Sequence, residues 1–92
     1  MKSVRAHVLI TGNVQGVNFR FYTKKKADEL GLNGWVKNLE DDVVEAVFEG
    51  SEDKINEMLE WCSKGPPSAN VDDVETEISN YIGDLEYFDI VY

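Results

Sequence analysis

The chain has 92 residues, 42% hydrophobic and 29% charged, a globular composition that fits one compact domain over residues 1–92. Its formal charge of −9 argues against general affinity for nucleic acid or anionic membranes, whose phosphates it would repel. The lone cysteine, Cys62, cannot form an internal disulfide, and Met1, Lys2 and Ser3 begin no apolar signal core, so a cytoplasmic protein is expected.

Val4, Ala6, Val8 and Ile10 alternate with Arg5, His7 and Leu9, which predicts a first strand with one apolar face. That strand runs into Gly12, Asn13, Val14, Gln15, Gly16, Val17, Asn18, Phe19 and Arg20. Glycines let a backbone turn and approach a ligand, free N–H groups at a helix start converge on one point, and arginine adds a planar charged fork. The run therefore reads as a cradle for phosphate or carboxylate, with backbone donors from Gln15 through Gly16, Val17 and Asn18 to Phe19. On glycine spacing alone, an ordinary strand-to-helix connection with a surface arginine fits equally well.

Phe19, Thr23, Ala27 and Leu30 recur at helical spacing, and Gly31 supplies the stop. Trp35, Val36 and Lys37 open a second extended run. A polar turn at Glu40, Asp41 and Asp42 leads to Val44, Ala46 and Phe48, which alternate with Glu45 and Glu49, and this predicts a hairpin. Ser51 is placed as the N-cap of a second helix, Glu52 and Asp53 suit its first turn, and Ile55, Met58, Leu59 and Cys62 mark its apolar face. Gly65, Pro66 and Pro67 end it. Val74, Thr76 and Ile78 alternate as a fourth strand; after a turn near Gly83 and Asp84, Phe88, Ile90 and Tyr92 suggest a short fifth. The order implies an α+β ferredoxin-like sandwich, βαββαβ with an extra C-terminal strand. Two helices cover one face of a mixed antiparallel sheet, and the crossovers are long enough to join parallel neighbours. Such an architecture carries many functions.

The run GNVQGVNFR resembles the signature loop of the acylphosphatase family: glycine, any residue, valine, glutamine, glycine, valine, any residue, an aromatic, arginine. Gly34, Trp35, Val36, Lys37 and Asn38 are similar to the family's second motif, continued by Val44, Glu45 and Gly50. Gly65, Pro66, Pro67, Ala69 and Val71 resemble its late segment, so the likeness covers nearly the whole chain. The resemblance implies metal-independent and cofactor-free hydrolysis of acyl phosphates to a carboxylate and inorganic phosphate. Arg20 would be the phosphate-binding arginine and Asn38 the water-positioning asparagine. The expected partner is then a small-molecule acyl phosphate, acted on by a monomer. Two positions depart from the pattern: Asp42 stands where a turn glycine is usual, which predicts a left-handed, slightly strained turn, and Asn70 stands where a basic residue is frequent.

Other candidates read more simply. His7 has no neighbouring base or serine placed by sequence and is expected to be structural. Lys24, Lys25 and Lys26 fit a solvated helix face. The acidic groups Glu40, Asp41, Asp42 and Asp72, Asp73, Glu75 lack metal-ligand spacing. Trp35, Trp61, Phe21 and Tyr22 are assigned to core packing or hairpin support rather than base stacking, because no RNP signature is present. A cysteine-dependent phosphatase is excluded, since Ser68 occupies the position its arginine would need. A module that holds a phosphorylated or carbamoylated ligand for a partner is the competing expectation, and free chain ends beside an intact Arg20 and Asn38 favour the enzyme.

Overall fold

The computed structural model describes residues 2–15, 18–40 and 42–91. Its elements, in chain order, are β1 (Ser3–Asn13), α1 (Phe19–Glu29), β2 (Asn33–Asn38), β3 (Val43–Ser51), α2 (Glu52–Lys64), β4 (Asn70–Asn80) and β5 (Phe88–Val91). The predicted Gly16, Val17, Asp41 and Tyr92 lie outside the described residues.

β1 buries the face that its alternation marks, Val4, Ala6, Val8 and Ile10, against α2 and in one core with the buried residues of α1. α1 contributes Phe19, Thr23 and Ala27, and α2 contributes Ile55, Met58 and Cys62, matching the predicted stripes. α1 ends as Gly31 requires. With φ of 69°, Gly31 donates to Asp28 O and Leu32 donates to Ala27 O, a Schellman pair that satisfies the last carbonyls. Ser51 does stand at the N-cap of α2, but its hydroxyl makes no capping bond; the first-turn amide of Glu52 instead donates to Lys2 O at 2.9 Å.

The sheet order is β4-β1-β3-β2-β5. The crossovers therefore do not join parallel neighbours: β3 lies between β1 and β2, and β1 between β3 and β4, all in antiparallel pairs. The parallel ladder among the described residues is β2 with β5. Composition explains the placement. β3 buries Val44, Ala46 and Phe48 on the helix side, and on the other side it sets Val47 between Glu45 and Glu49, whose carboxylates find partners on the flanking strands in His7, Lys37 and Arg5. β4 carries Asp72, Asp73, Glu75 and Glu77, and charge on an edge strand discourages pairing with other chains.

β4 begins earlier than its alternation suggested. A register shift between Thr11 and Gly12 lets Gly12 and Asn13 pair with Val71 and Asn70. Gly12, at φ 137°, is needed there because a Cβ would stand 2.2 Å from Asn70 O. Its close approach is thus to β4, not to a ligand. Thr76 and Ile78, whose alternation with charged residues marked the strand, are exposed on this edge strand.

The segment after β4 crosses the end of the sheet to reach β5. It is held by Glu49, a fully buried carboxylate that accepts Ile82 N–H at 3.0 Å, Gly83 N–H at 3.3 Å and Arg5 Nη1 at 3.0 Å. Sequence alternation sets Glu49 opposite the apolar face of β3, and the crossing segment encloses it there. Glu49→Ala leaves the Ile82 and Gly83 amides without their acceptor and Arg5 with only Asp84, 3.7 Å away, and is expected to lower stability by about 2–4 kcal/mol. In a domain of this size that is a fall in Tm of roughly 10–25 °C, measured by thermal unfolding.

Candidate active site

The turn after β1 is fixed at both ends by apolar anchors. Val14, whose N–H donates to Gly12 O at 2.9 Å, is fully buried, and so is Phe19 at the start of α1. Between them Gln15 turns its side-chain amide away from any ligand. Nε2 donates to Val43 O at 3.0 Å and to Leu39 O, the two residues whose own backbone bond closes the β2–β3 hairpin. The Gln15 side chain is therefore a strut between the loop and the hairpin, and only its backbone remains available to the cradle. Nothing in the sequence signals this, because the partners lie far along the chain.

Asn18 occupies the N-cap of α1 in the left-handed region, φ 59° and ψ 26°, with no capping bond from its side chain. A left-handed residue followed by helical ones points successive N–H groups to one side, and the helix dipole adds partial positive charge there. The first turn of α1 holds no acidic residue. Arg20 lies in that turn, half-buried, its Nη1 donating to Val91 O at 3.4 Å, which draws the guanidinium across to the end of β5.

Asn38 is the last residue of β2, in register with Val44. Its side-chain oxygen is buried and has no hydrogen-bond partner among the described residues. Such an atom is costly unless something else donates to it. Asn18, Arg20 and Asn38, separated in sequence, line one cavity of about 260 Å³ with Val14, Phe19, Phe21 and Ile90. Gly16 and Val17, the remaining candidates, fall outside the described residues.

A family model for acylphosphatases matches residues 6–90. The chain belongs to the acylphosphatase family. An acylphosphatase of Syntrophobacter fumaroxidans is 49% identical over 92 residues, covering 100% of this chain and 95% of the relative. The crystal structure of acylphosphatase from Bacillus subtilis superposes with a TM-score of 0.93 at 35% identity, covering 97% of this chain and 99% of that one. A full-length HypF structure in a phosphate- and nucleotide-bound form matches with a TM-score of 0.87 at 26% identity, covering 99% of this chain but 12% of HypF. The chain is thus an enzyme of this family in a ferredoxin-like fold, and acyl phosphates are the substrates the family implies.

The remaining candidates sort themselves by environment. His7 Nε2 donates to Glu45 Oε2 at 2.7 Å on the sheet face away from the helices, and Lys37 Nζ lies 3.5 Å from Glu45 Oε1. The His7 hydrogen bond, aided by Lys37 and partly opposed by burial, holds the Glu45 carboxyl below its ordinary range. His7 thus pairs with Glu45 and is not among the residues that line the cavity. Cys62 is buried, and desolvation raises its thiol pKa to about 12, so it offers no thiolate. Among the described residues, no three His, Cys, Asp or Glu side chains gather as metal ligands, and no helix is long and apolar enough to cross a membrane.

Asp42 adopts the left-handed φ of 60° expected where glycine is usual. Trp61 packs on Phe19 with ring centroids 5.6 Å apart, and Trp35 lies beneath Lys37 Nζ at 5.4 Å, both as support. Phe21 and Tyr22 correct the expectation of core packing: they are 58% and 38% exposed, because the α1 stripe that faces the sheet is Phe19, Thr23 and Ala27.

Proposed function

We propose that this enzyme hydrolyses the carboxyl–phosphate bond of acyl phosphates without a metal or cofactor, through a backbone cradle, Arg20 and a water held by Asn38. The observation that carries the reading is that Asn38, whose buried side-chain oxygen has no hydrogen-bond partner among the described residues, lines the same cavity as Arg20 and the uncapped start of α1. One end of the cavity attracts an anion; the other offers an amide oxygen that accepts a hydrogen bond from a water.

The phosphoryl group rests against the N–H groups from Gln15 through Gly16, Val17 and Asn18 to Phe19, while the Arg20 fork takes two of its oxygens. Charge-assisted bidentate bonds of this kind are about twice as strong as neutral ones. Asn38 Oδ1 accepts one O–H of the water, leaving an oxygen lone pair free to attack phosphorus in line with the bond to the acyl oxygen. The new P–O bond forms as the P–O(acyl) bond breaks, and its electron pair leaves on the carboxylate. An amide is a poor base, so the water's proton passes to a phosphoryl oxygen. A carboxylate, the conjugate base of an acid with pKa about 4, departs without a general acid. Positioning and charge stabilisation are then sufficient catalysis.

The test compares benzoyl phosphate with p-nitrophenyl phosphate in excess chelator. Hydrolysis of benzoyl phosphate alone, at a rate indifferent to chelator, is the expected result. Loss of activity on chelation would overturn the metal-free mechanism. Inertness toward both substrates would leave a phosphate-holding module instead.

A further inference from the structure

Four apolar side chains line the cavity, and they differ in what a ligand can reach. Val14 and Phe19 are fully buried and serve the core. Ile90 is half-buried on β5, and Phe21 is 58% exposed, a large apolar surface standing in water one residue after Arg20. Its ring is set edge-on against Tyr22, with centroids 5.4 Å apart and planes at 76°, which restricts how it lies on the helix. No packing requirement accounts for an aromatic at this position, since the inward stripe of α1 is supplied by other residues.

We propose that Phe21, with Ile90, forms the wall that receives the acyl part of the substrate and makes the enzyme prefer aromatic or other bulky apolar acyl groups over acetyl. The inference rests on the acyl phosphate reading above, since the phosphoryl group must occupy the cradle for its substituent to meet this wall. The phosphoryl end is satisfied by Arg20 and backbone donors whatever the acyl group. Discrimination among substrates therefore falls to surfaces beyond the phosphate, and Phe21 and Ile90 are the apolar lining left accessible. A flat ring gains both buried area and an aromatic contact from Phe21; a methyl group gains little.

The experiment measures kcat/KM for benzoyl phosphate and acetyl phosphate in wild type, Phe21→Ala and Phe21→Leu. It also measures competitive inhibition by their non-hydrolysable methylene analogues, phenacylphosphonate and acetonylphosphonate. Phe21→Ala is expected to lower the benzoyl-to-acetyl ratio of kcat/KM about 10-fold, with Phe21→Leu in between and the inhibition constants of the two analogues converging. Because Phe21 is exposed, both variants keep the core intact, and the analogue inhibition reads occupancy apart from turnover. An unchanged ratio, or equal losses on both substrates, would overturn the proposal. Wild-type inertness toward both acyl phosphates would instead overturn the acyl phosphate reading itself, and this inference with it.

Discussion

Arg20→Ala is expected to abolish measurable hydrolysis of an acyl phosphate and, with it, inhibition by inorganic phosphate. The two losses go together because the guanidinium meets the phosphoryl oxygens in substrate, transition state and product alike. Arginines that stabilise phosphoryl transfer are worth about 10³–10⁵ in kcat, or roughly 4–7 kcal/mol of barrier. The surrounding field makes the loss harder to offset: in a chain of formal charge −9, Arg20 and the start of α1 are what create a local positive potential for a phosphate. The Arg20 bond to Val91 O on β5, at 3.4 Å, is long and contributes at most about 1 kcal/mol, and a thermal melt separates any loss of stability from the loss of phosphate binding. Steady-state kinetics, phosphate inhibition and a thermal melt together check it. Phosphate inhibition that survived in Arg20→Ala would show that the backbone donors alone bind the anion.

Asn38→Ala should separate what Arg20→Ala loses together. Turnover is expected to fall by about 10²–10³-fold, the scale of losing one well-placed polar group or of misplacing a reactant by about an ångström. The inhibition constant for phosphate should stay within roughly threefold, because the cradle and Arg20 are untouched. Stability should hold or rise slightly, since the substitution removes a buried oxygen that has no partner among the described residues. Asn38→Asp adds an independent reading: a carboxylate would repel the phosphoryl group across the cavity and weaken phosphate inhibition as well as turnover. Near wild-type turnover in Asn38→Ala would place the water elsewhere.

Much of the site was legible because its parts lie close together in the chain. The β1 alternation, the glycine-bracketed turn and Arg20 occur within one short stretch, and the left-handed Asp42 follows from the turn it occupies. Gln15 was only half legible. Its backbone belongs to the predicted cradle, but its amide is bound to Leu39 and Val43 carbonyls, partners that no local pattern identifies. Phe21 was misread because an aromatic in an amphipathic helix suggests packing, whereas the stripe that faces the sheet begins at Phe19 and leaves Phe21 outside. Glu49 was legible only as an acid alternating with apolar residues; a crossing segment that meets it from more than thirty residues away makes it a buried acceptor.

By itself the sequence determined the element order, the inward faces of β1, α1 and α2, the helix stop at Gly31 and the chemical character of the turn. These are consequences of side-chain period and of the backbone angles that glycine, proline and aspartate permit, and each is settled within a few residues. Only the tertiary structure decided that β3 inserts between β1 and β2, and that the end of β2 brings Asn38 to the same cavity as Arg20. The same folding leaves Phe21 uncovered and encloses Glu49. Those outcomes depend on which strands pair with one another and on which segments cross the sheet. That balance of packing and desolvation is struck between residues far apart in the chain.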